Sequence, residues 1–173
     1  MRPTYNLEPK CRVTMLTREN WTRDSGAPPE VRGLIWYTYG SKMKEETGAG
    51  VFGQTVRRRL SFSLGRYTTV FQANIYAILA CAYEIQSQYR SENHVSICCD
   101  SQAALKALQA TRTTSPSVRQ CQEALNDISA QHVVGLYWVP GHAGVQGNKI
   151  ADGLARGGSA LRFLGPEPVL RGL

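Results

Sequence analysis

Residues 138–152 read Trp-Val-Pro-Gly-His-Ala-Gly-Val-Gln-Gly-Asn-Lys-Ile-Ala-Asp. A weakly alternating apolar segment, residues 133–139, predicts a strand before this stretch, and Gly147 to Arg156 predicts a helix at its end. The stretch contains three glycines and His142, and its helix carries Asp152. Taken alone, His142 would be interpreted as a loop histidine without a role. Asp152 would be interpreted as part of a solvated helix face. Their order in one strand, loop and helix is the most specific signal in the chain.

The remaining apolar patterns predict four further strands and three further helices upstream. Residues 34–38, 48–52 and 59–64 read as three short antiparallel strands. A helix of about 16 residues follows, with Thr68 or Thr69 as its cap, then a strand over residues 95–99. Two helices come next, residues 101–108 and one that begins at Ser115-Pro116. This order predicts an α/β fold with a five-stranded mixed sheet, three antiparallel strands then two parallel, and helices on both faces.

The 173 residues are enough for one domain and too few to expect two. Residues 1–32 carry four prolines and no sustained period, so we expect an N-terminal arm or linker there. We expect the domain over residues 33–158 and a C-terminal tail over residues 159–173.

The composition favours a polyanionic partner inside the cell. Twenty Lys and Arg against 13 Asp and Glu give a formal charge of +7. The charge alone favours a polyanionic partner and a basic soluble protein without such a partner about equally. Five cysteines without a C-x-x-C pair indicate a reducing compartment. The N-terminus does not resemble a signal peptide, and no apolar run approaches the ~20 residues of a membrane span. We therefore expect a cytoplasmic or nuclear location, not a secreted protein, and no membrane partner.

Three further motifs accompany residues 138–152, each at a predicted strand end or helix start: Tyr37-Thr38-Tyr39-Gly40-Ser41, Phe71-Gln72-Ala73-Asn74 and Cys99-Asp100-Ser101-Gln102. Together the four motifs strongly resemble the ribonuclease H (type 1) domain of insect-type, jockey-like non-LTR retrotransposon reverse transcriptase polyproteins. The resemblance covers roughly residues 34 to 158. It implies the ribonuclease H-like fold.

The resemblance also implies a reaction. The family binds an RNA/DNA hybrid and cuts the RNA strand with two Mg²⁺ ions, held by Asp, Glu, Asp and Asp. Asp100 matches the acid after the fourth strand, Asp152 the acid in the last helix, and His142 the loop histidine. Asp100 and Asp152 are therefore the expected metal ligands. Asp100 before Ser101 could otherwise be a helix cap.

Two positions depart from the family's catalytic set. Tyr39 stands where the family has the Asp that touches both ions, and Asn74 stands where it has Glu. A neutral phenol is a poor Mg²⁺ ligand, and the amide lacks a charge and one methylene. We expect weakened binding of Mg²⁺ or Mn²⁺, and activity lost or very low. Tyr39 is interpreted either as a neutral substitution in a decaying active site or as a platform on which a base or sugar stacks.

Nucleic-acid binding is less affected than catalysis. The family recognises A-form shape, 2′-hydroxyls and phosphates through backbone and short polar groups. The matching candidates are Gly40, Ser41 and Gln102, with Gln72 weaker. Arg57, Arg58 and Arg59, with Lys42 and Lys44, form either a basic flank of the cleft or a solvated turn.

Four functions remain open from the sequence. The leading prediction is a ribonuclease H-like domain that binds an RNA/DNA hybrid or other nucleic acid and has lost most cleavage. The alternatives are a residual Mg²⁺- or Mn²⁺-dependent ribonuclease, a protein-docking module without a nucleic-acid role, and an inactive copy. We expect a monomer, with the reverse transcriptase part of the same polyprotein as a candidate partner.

Overall fold

The computed structural model describes residues 2–21, 27–88 and 92–160. Its strands are β1 (Tyr5–Asn6), β2 (Arg12–Thr14), β3 (Leu34–Met43), β4 (Glu46–Gly53), β5 (Arg58–Gly65), β6 (His94–Cys99), β7 (Arg112–Thr113) and β8 (Val133–Trp138). Its helices are α1 (Val70–Ser87), α2 (Gln102–Gln109), α3 (Pro116–Ser129) and α4 (Gln146–Ala160), and Arg18–Asn20 forms a 3₁₀ turn. The predicted tail beyond residue 160 lies outside the described residues.

The main sheet has six strands in the order β2-β8-β6-β3-β4-β5. Strands β3, β4 and β5 are antiparallel, whereas β6 runs parallel to β3, and β8 parallel to β6. The mixed sheet with helices on both faces is confirmed, but the expected count of five strands is wrong. The sixth strand, β2, belongs to the arm and pairs in parallel with β8. Three residues are too few to show an alternating pattern, so no periodic signal marks this strand.

Capping residues explain where the helices begin. Thr69 caps α1 by accepting a hydrogen bond from the Gln72 backbone N–H, and Ser101 caps α2 in the same way. Ser115 caps α3, with Pro116 at its first turn, as the sequence predicts. These caps fix where the helices start relative to the strands that precede them.

Strand β3 is longer than predicted, and this changes the setting of its motif. Its antiparallel pairing with β4 continues to Met43 opposite Glu46, beyond the predicted end at Thr38. Tyr39, Gly40 and Ser41 therefore lie within a strand and not after it. Alternation places Tyr39 on the same face as Tyr37, and Gly40 on the opposite face.

Two buried clusters fill the space on either side of the sheet. The larger includes side chains of α1, α2 and α3, and the smaller includes side chains of α4 and the arm. Helix α4 approaches the sheet very closely, because a Cβ on Gly50 would lie 2.2 Å from the Ala151 carbonyl oxygen. Four of the five cysteines are buried, and all five are free thiols. Among the described residues, no helix is long and apolar enough to span a membrane.

Candidate functional site

The site residues meet where the parallel strands β6 and β8 end, beside the middle of β3. Thr38 of β3 lies beside Cys99 of β6, and Cys99 lies beside Trp138 of β8. Because the carboxyl ends of parallel strands share one edge, the residues that follow them come together there. The sheet therefore brings Tyr39, Asp100 and the loop after Trp138 to one place.

Backbone contacts hold Asp100 against this loop. The Trp138 indole N–H donates to the Asp100 carbonyl oxygen at 3.1 Å, and the Val139 N–H donates to the Cys99 carbonyl oxygen at 3.0 Å. A Cβ on Gly141 would lie 3.4 Å from Asp100 Oδ2, so the loop passes directly over the carboxylate. His142 follows with a φ of +57°, a left-handed conformation that is uncommon among residues other than glycine.

Tyr39, the loop and α4 enclose a cleft of about 630 Å³. Its lining residues are Tyr39, His142, Ala143, Gly144, Asn148, Lys149 and Asp152. The sequence interpretation missed Asn148 and Lys149 as site residues. The spacing of Asn148 and Asp152, four positions apart on one helix face, was the available signal. Asn148 is 5% exposed, and its Oδ1 has no hydrogen-bond partner among the described residues.

Tyr39 contributes a neutral phenol to this cleft. Burial raises its pKa to about 12, and the negative charges of Asp100 and then Asp152 act in the same direction. The nearby Arg156 opposes them only in part. Tyr39 is therefore a hydrogen-bonding group at neutral pH and does not supply a charge.

The two aspartates differ in environment. The pKa of Asp100 is raised to about 6, mainly by burial and in smaller part by Asp152, while a backbone hydrogen bond and His142 oppose the rise. Asp152 forms an ion pair with Arg156, whose Nε lies 2.8 Å from Oδ1. The structure thus brings Asp100, Asp152, His142 and Tyr39 together, as the motifs predict.

The Asn74 side chain makes hydrogen bonds to the backbone and is not a free ligand for a metal ion. Its Oδ1 accepts a 2.9 Å hydrogen bond from the Gly40 N–H, and its Nδ2 donates to the Val70 carbonyl oxygen at 3.1 Å. The side chain is 4% exposed and does not line the cleft.

The donor set does not fit two Mg²⁺ ions. Within the described ranges, no group of three or more His, Cys, Asp or Glu side chains could hold a metal ion. Asp100 and Asp152 are the only carboxylates at the predicted ligand positions, because Tyr39 and Asn74 are neutral. The Asn74 oxygen is already engaged by Gly40.

The predicted binding residues are only partly brought together. Gln102 is exposed at the start of α2, and Ser41 is half-buried two residues after Tyr39. Gln72 instead closes the α1 cap, since its Oε1 accepts from the Thr69 N–H at 2.9 Å.

The arginine run does not contribute to the lining of the cleft. Tyr39 is opposite Gly50 of β4, whereas Arg59, on the far side of β4, is opposite Phe52, two positions further along. Arg58 forms an ion pair with Glu84 at 2.8 Å, and the Arg59 guanidinium lies over the Phe52 ring. Arg57 is exposed in the turn before β5.

Lys42 and Lys44 lie at the opposite hairpin, between β3 and β4. With Glu45, Arg66 and Tyr67 they line a small basic pocket of about 350 Å³. The Lys42 ammonium donates to the Arg66 carbonyl oxygen at 3.0 Å. The five basic residues therefore form two separate groups and not one flank.

Comparison with protein families assigns the chain to one of them. The model of the RNase H family, described as RNase H, matches residues 32–160. No curated protein matches the chain.

Proposed function

Since the chain belongs to the RNase H family, we propose that it is a nucleic-acid-binding domain of retroelement origin whose RNA-cleaving activity is lost or very weak. The observation that carries this proposal is the environment of the two departing positions. Tyr39 lines the cleft as a neutral phenol, and the Asn74 oxygen is bound to the Gly40 N–H. Neither residue supplies the negative charge that its counterpart brings to the family's chemistry.

The charge balance explains the expected defect. The RNase H family generally uses Mg²⁺, a hard cation that is bound by carboxylates and tolerates little deviation from octahedral geometry. Asp100 and Asp152 alone would have to offset the four positive charges of two divalent ions. Two carboxylates are therefore too few for cleavage that depends on two metal ions.

Binding has separate support from the cleft. Lys149 brings a positive charge to its lining, and replacement of two acids by neutral residues lowers repulsion of phosphate. The net charge of +7 acts in the same direction. The ligand we propose is an RNA/DNA hybrid, recognised through A-form shape and backbone contacts. Retrotransposon origin, a monomeric state and a reverse transcriptase partner are proposals that rest on the sequence motifs.

The test follows binding and RNA cleavage together, with a labelled hybrid, the whole chain and a titration of Mg²⁺ or Mn²⁺. We expect binding that weakens steeply as salt rises, with no cleavage above the background of a metal-free sample. Lys149→Gln should weaken binding and lower the salt slope by about one. Lys10→Gln, at an exposed position of the arm, should change neither.

Two outcomes contradict the proposal. Cleavage that chelator and Asp100→Asn both abolish would identify a residual ribonuclease, because the remaining ligands would then suffice. The absence of any salt-sensitive binding would instead favour a protein-docking module or an inactive copy.

A further inference from the structure

The N-terminal arm is part of the folded domain, although the family match begins only at residue 32. Arg12, Val13 and Thr14 pair with Gly135, Leu136 and Tyr137 of β8. Downstream of β2, the side chains of Leu16, Trp21 and Val31 are 8%, 7% and 5% exposed. They belong to one buried cluster with Val139 of the His142 loop and Ala151 of α4.

Two tryptophans connect the arm with the site. The Trp21 indole N–H donates to the Trp138 carbonyl oxygen at 3.1 Å. The Trp138 indole N–H in turn donates to the Asp100 carbonyl oxygen, also at 3.1 Å. Trp138 is therefore held at both its carbonyl and its side chain, at the residue from which the loop departs.

One residue of the loop has a backbone conformation that such support helps to hold. His142 has a φ of +57°, a region that its Cβ disfavours, whereas Gly144 adopts its φ of +79° without penalty. Conformations of this kind persist only where the surrounding structure enforces them. Val139, the first residue of the loop, is fully buried in the cluster that contains Trp21. Without β2, the strand β8 would be an open edge of the sheet.

We propose that Trp21 is a positioning residue of the cleft. The arm braces the loop that carries His142 and fixes Trp138, which holds the Asp100 backbone. Binding in the cleft then depends on a segment outside the family match. The part of this inference that concerns binding rests on the proposed function, whereas the bracing of the loop does not.

The test uses Trp21→Phe in the full chain, which keeps an aromatic ring and removes the indole N–H. Loss of one hydrogen bond is expected to speed hydrogen exchange of the Val139 N–H roughly fivefold. The Trp138 indole resonance should shift, because the carbonyl of the same residue loses its donor. Hybrid affinity should fall about three- to fivefold. The Val51 N–H, within β4, should exchange at an unchanged rate.

Tyr5→Leu is the matched arm variant. Tyr5 lies in β1, pairs with β7 and stacks on the Arg119 guanidinium, at a distance of 4.8 Å. Tyr5→Leu should leave the Val139 exchange rate, the Trp138 resonance and the hybrid affinity unchanged. Trp21→Ala should enlarge every effect of Trp21→Phe, and if it does not fold, Trp21→Phe still provides the test.

Unchanged exchange at Val139 and an unshifted Trp138 resonance in Trp21→Phe would overturn the bracing role. Normal hybrid affinity with a loosened loop would overturn the dependence of binding on the arm. If the unmodified chain does not bind hybrid, the proposed function fails, and the exchange and resonance measurements still test the brace independently.

Discussion

Asn74 Oδ1 accepts a hydrogen bond of 2.9 Å from the backbone N–H of Gly40, and this bond joins α1 to β3. The two backbones approach so closely that a Cβ on Gly40 would lie 2.6 Å from the Asn74 nitrogen. Gly40 is buried, so its N–H has no access to water as an alternative partner. Asn74 therefore supplies a structural link between α1 and β3.

Removal of this link should destabilise the domain. Asn74→Ala leaves the Gly40 N–H buried without an acceptor, and an unsatisfied buried donor costs about 1–3 kcal/mol. We expect the free energy of unfolding to fall by roughly 2–3 kcal/mol, measured by urea denaturation at pH 7. A loss below about 0.5 kcal/mol would contradict the structural role.

Asn126→Ala is the matched control for this prediction. Asn126 also makes two backbone hydrogen bonds, to the Lys10 N–H and the Glu8 carbonyl oxygen, but in an exposed setting. Water can replace both partners there, so we expect a loss of at most about 1 kcal/mol.

The proposed function predicts that acids at positions 39 and 74 produce metal-dependent cleavage. Tyr39→Asp with Asn74→Glu adds two negative charges to the site that already contains Asp100 and Asp152. We expect Mg²⁺-dependent RNA cleavage at least roughly 100-fold above that of the unmodified chain. Mg²⁺ should also raise the melting temperature of the double variant and not that of the unmodified chain. Each single variant should remain close to background.

Asp100→Asn added to the double variant is the control, and it should abolish the recovered cleavage. A double variant that folds, takes no stabilisation from Mg²⁺ and stays inactive would show that the defect lies elsewhere in the chain.

The sequence predicted the elements that carry strong periodicity or capping signals. Helix α3 begins at Pro116 after the Ser115 cap, and α1 follows the Thr69 cap, as their patterns indicate. The sixth strand was missed because β2 has three residues and its pairing with β8 is a long-range contact. The placement of Arg59 relative to Tyr39 was also not predictable. It depends on strand order and register, which the composition of a turn does not reveal.

The motifs selected residues that lie near one another in the structure, and the roles assigned to those residues stay predictions. Tyr39, His142 and Asp152 line one cleft, and Asp100 interacts electrostatically with all three. The commitment of the Asn74 oxygen to Gly40 was not predictable, because it depends on how closely α1 approaches β3. The hydrogen bond from Trp21 to Trp138 was equally unpredictable, since 117 positions separate the two residues.

Asp100 should make stability fall as pH rises. Burial raises its pKa to about 6 from the usual 3.8, so the folded state binds more protons than the unfolded state between these values. The free energy of unfolding then decreases as pH rises through about 4 to 6. Asp100→Asn removes this ionisation, and we expect a gain of roughly 2 kcal/mol at pH 7, measured by denaturation at several pH values.

Asp127→Asn tests whether the stability gained in Asp100→Asn depends on burial of the carboxylate. Asp127 is an exposed residue of α3, and its replacement should change stability by no more than about 0.5 kcal/mol. An equal gain in both variants would point to net charge in place of the Asp100 environment.

Two glycine variants should act in opposite directions because of how α4 packs. A Cβ on Gly50 of β4 would lie 2.2 Å from the Ala151 carbonyl oxygen, so Gly50→Ala must push away the helix that carries Asp152. We expect a loss of at least about 3 kcal/mol, together with weaker hybrid binding. Gly153 is exposed on α4 with nothing within 4 Å of its would-be Cβ, so Gly153→Ala should stabilise the helix by about 0.5–1 kcal/mol. Denaturation of both variants measures this contrast, and a neutral Gly50→Ala would mean that α4 does not rest on β4 at this distance.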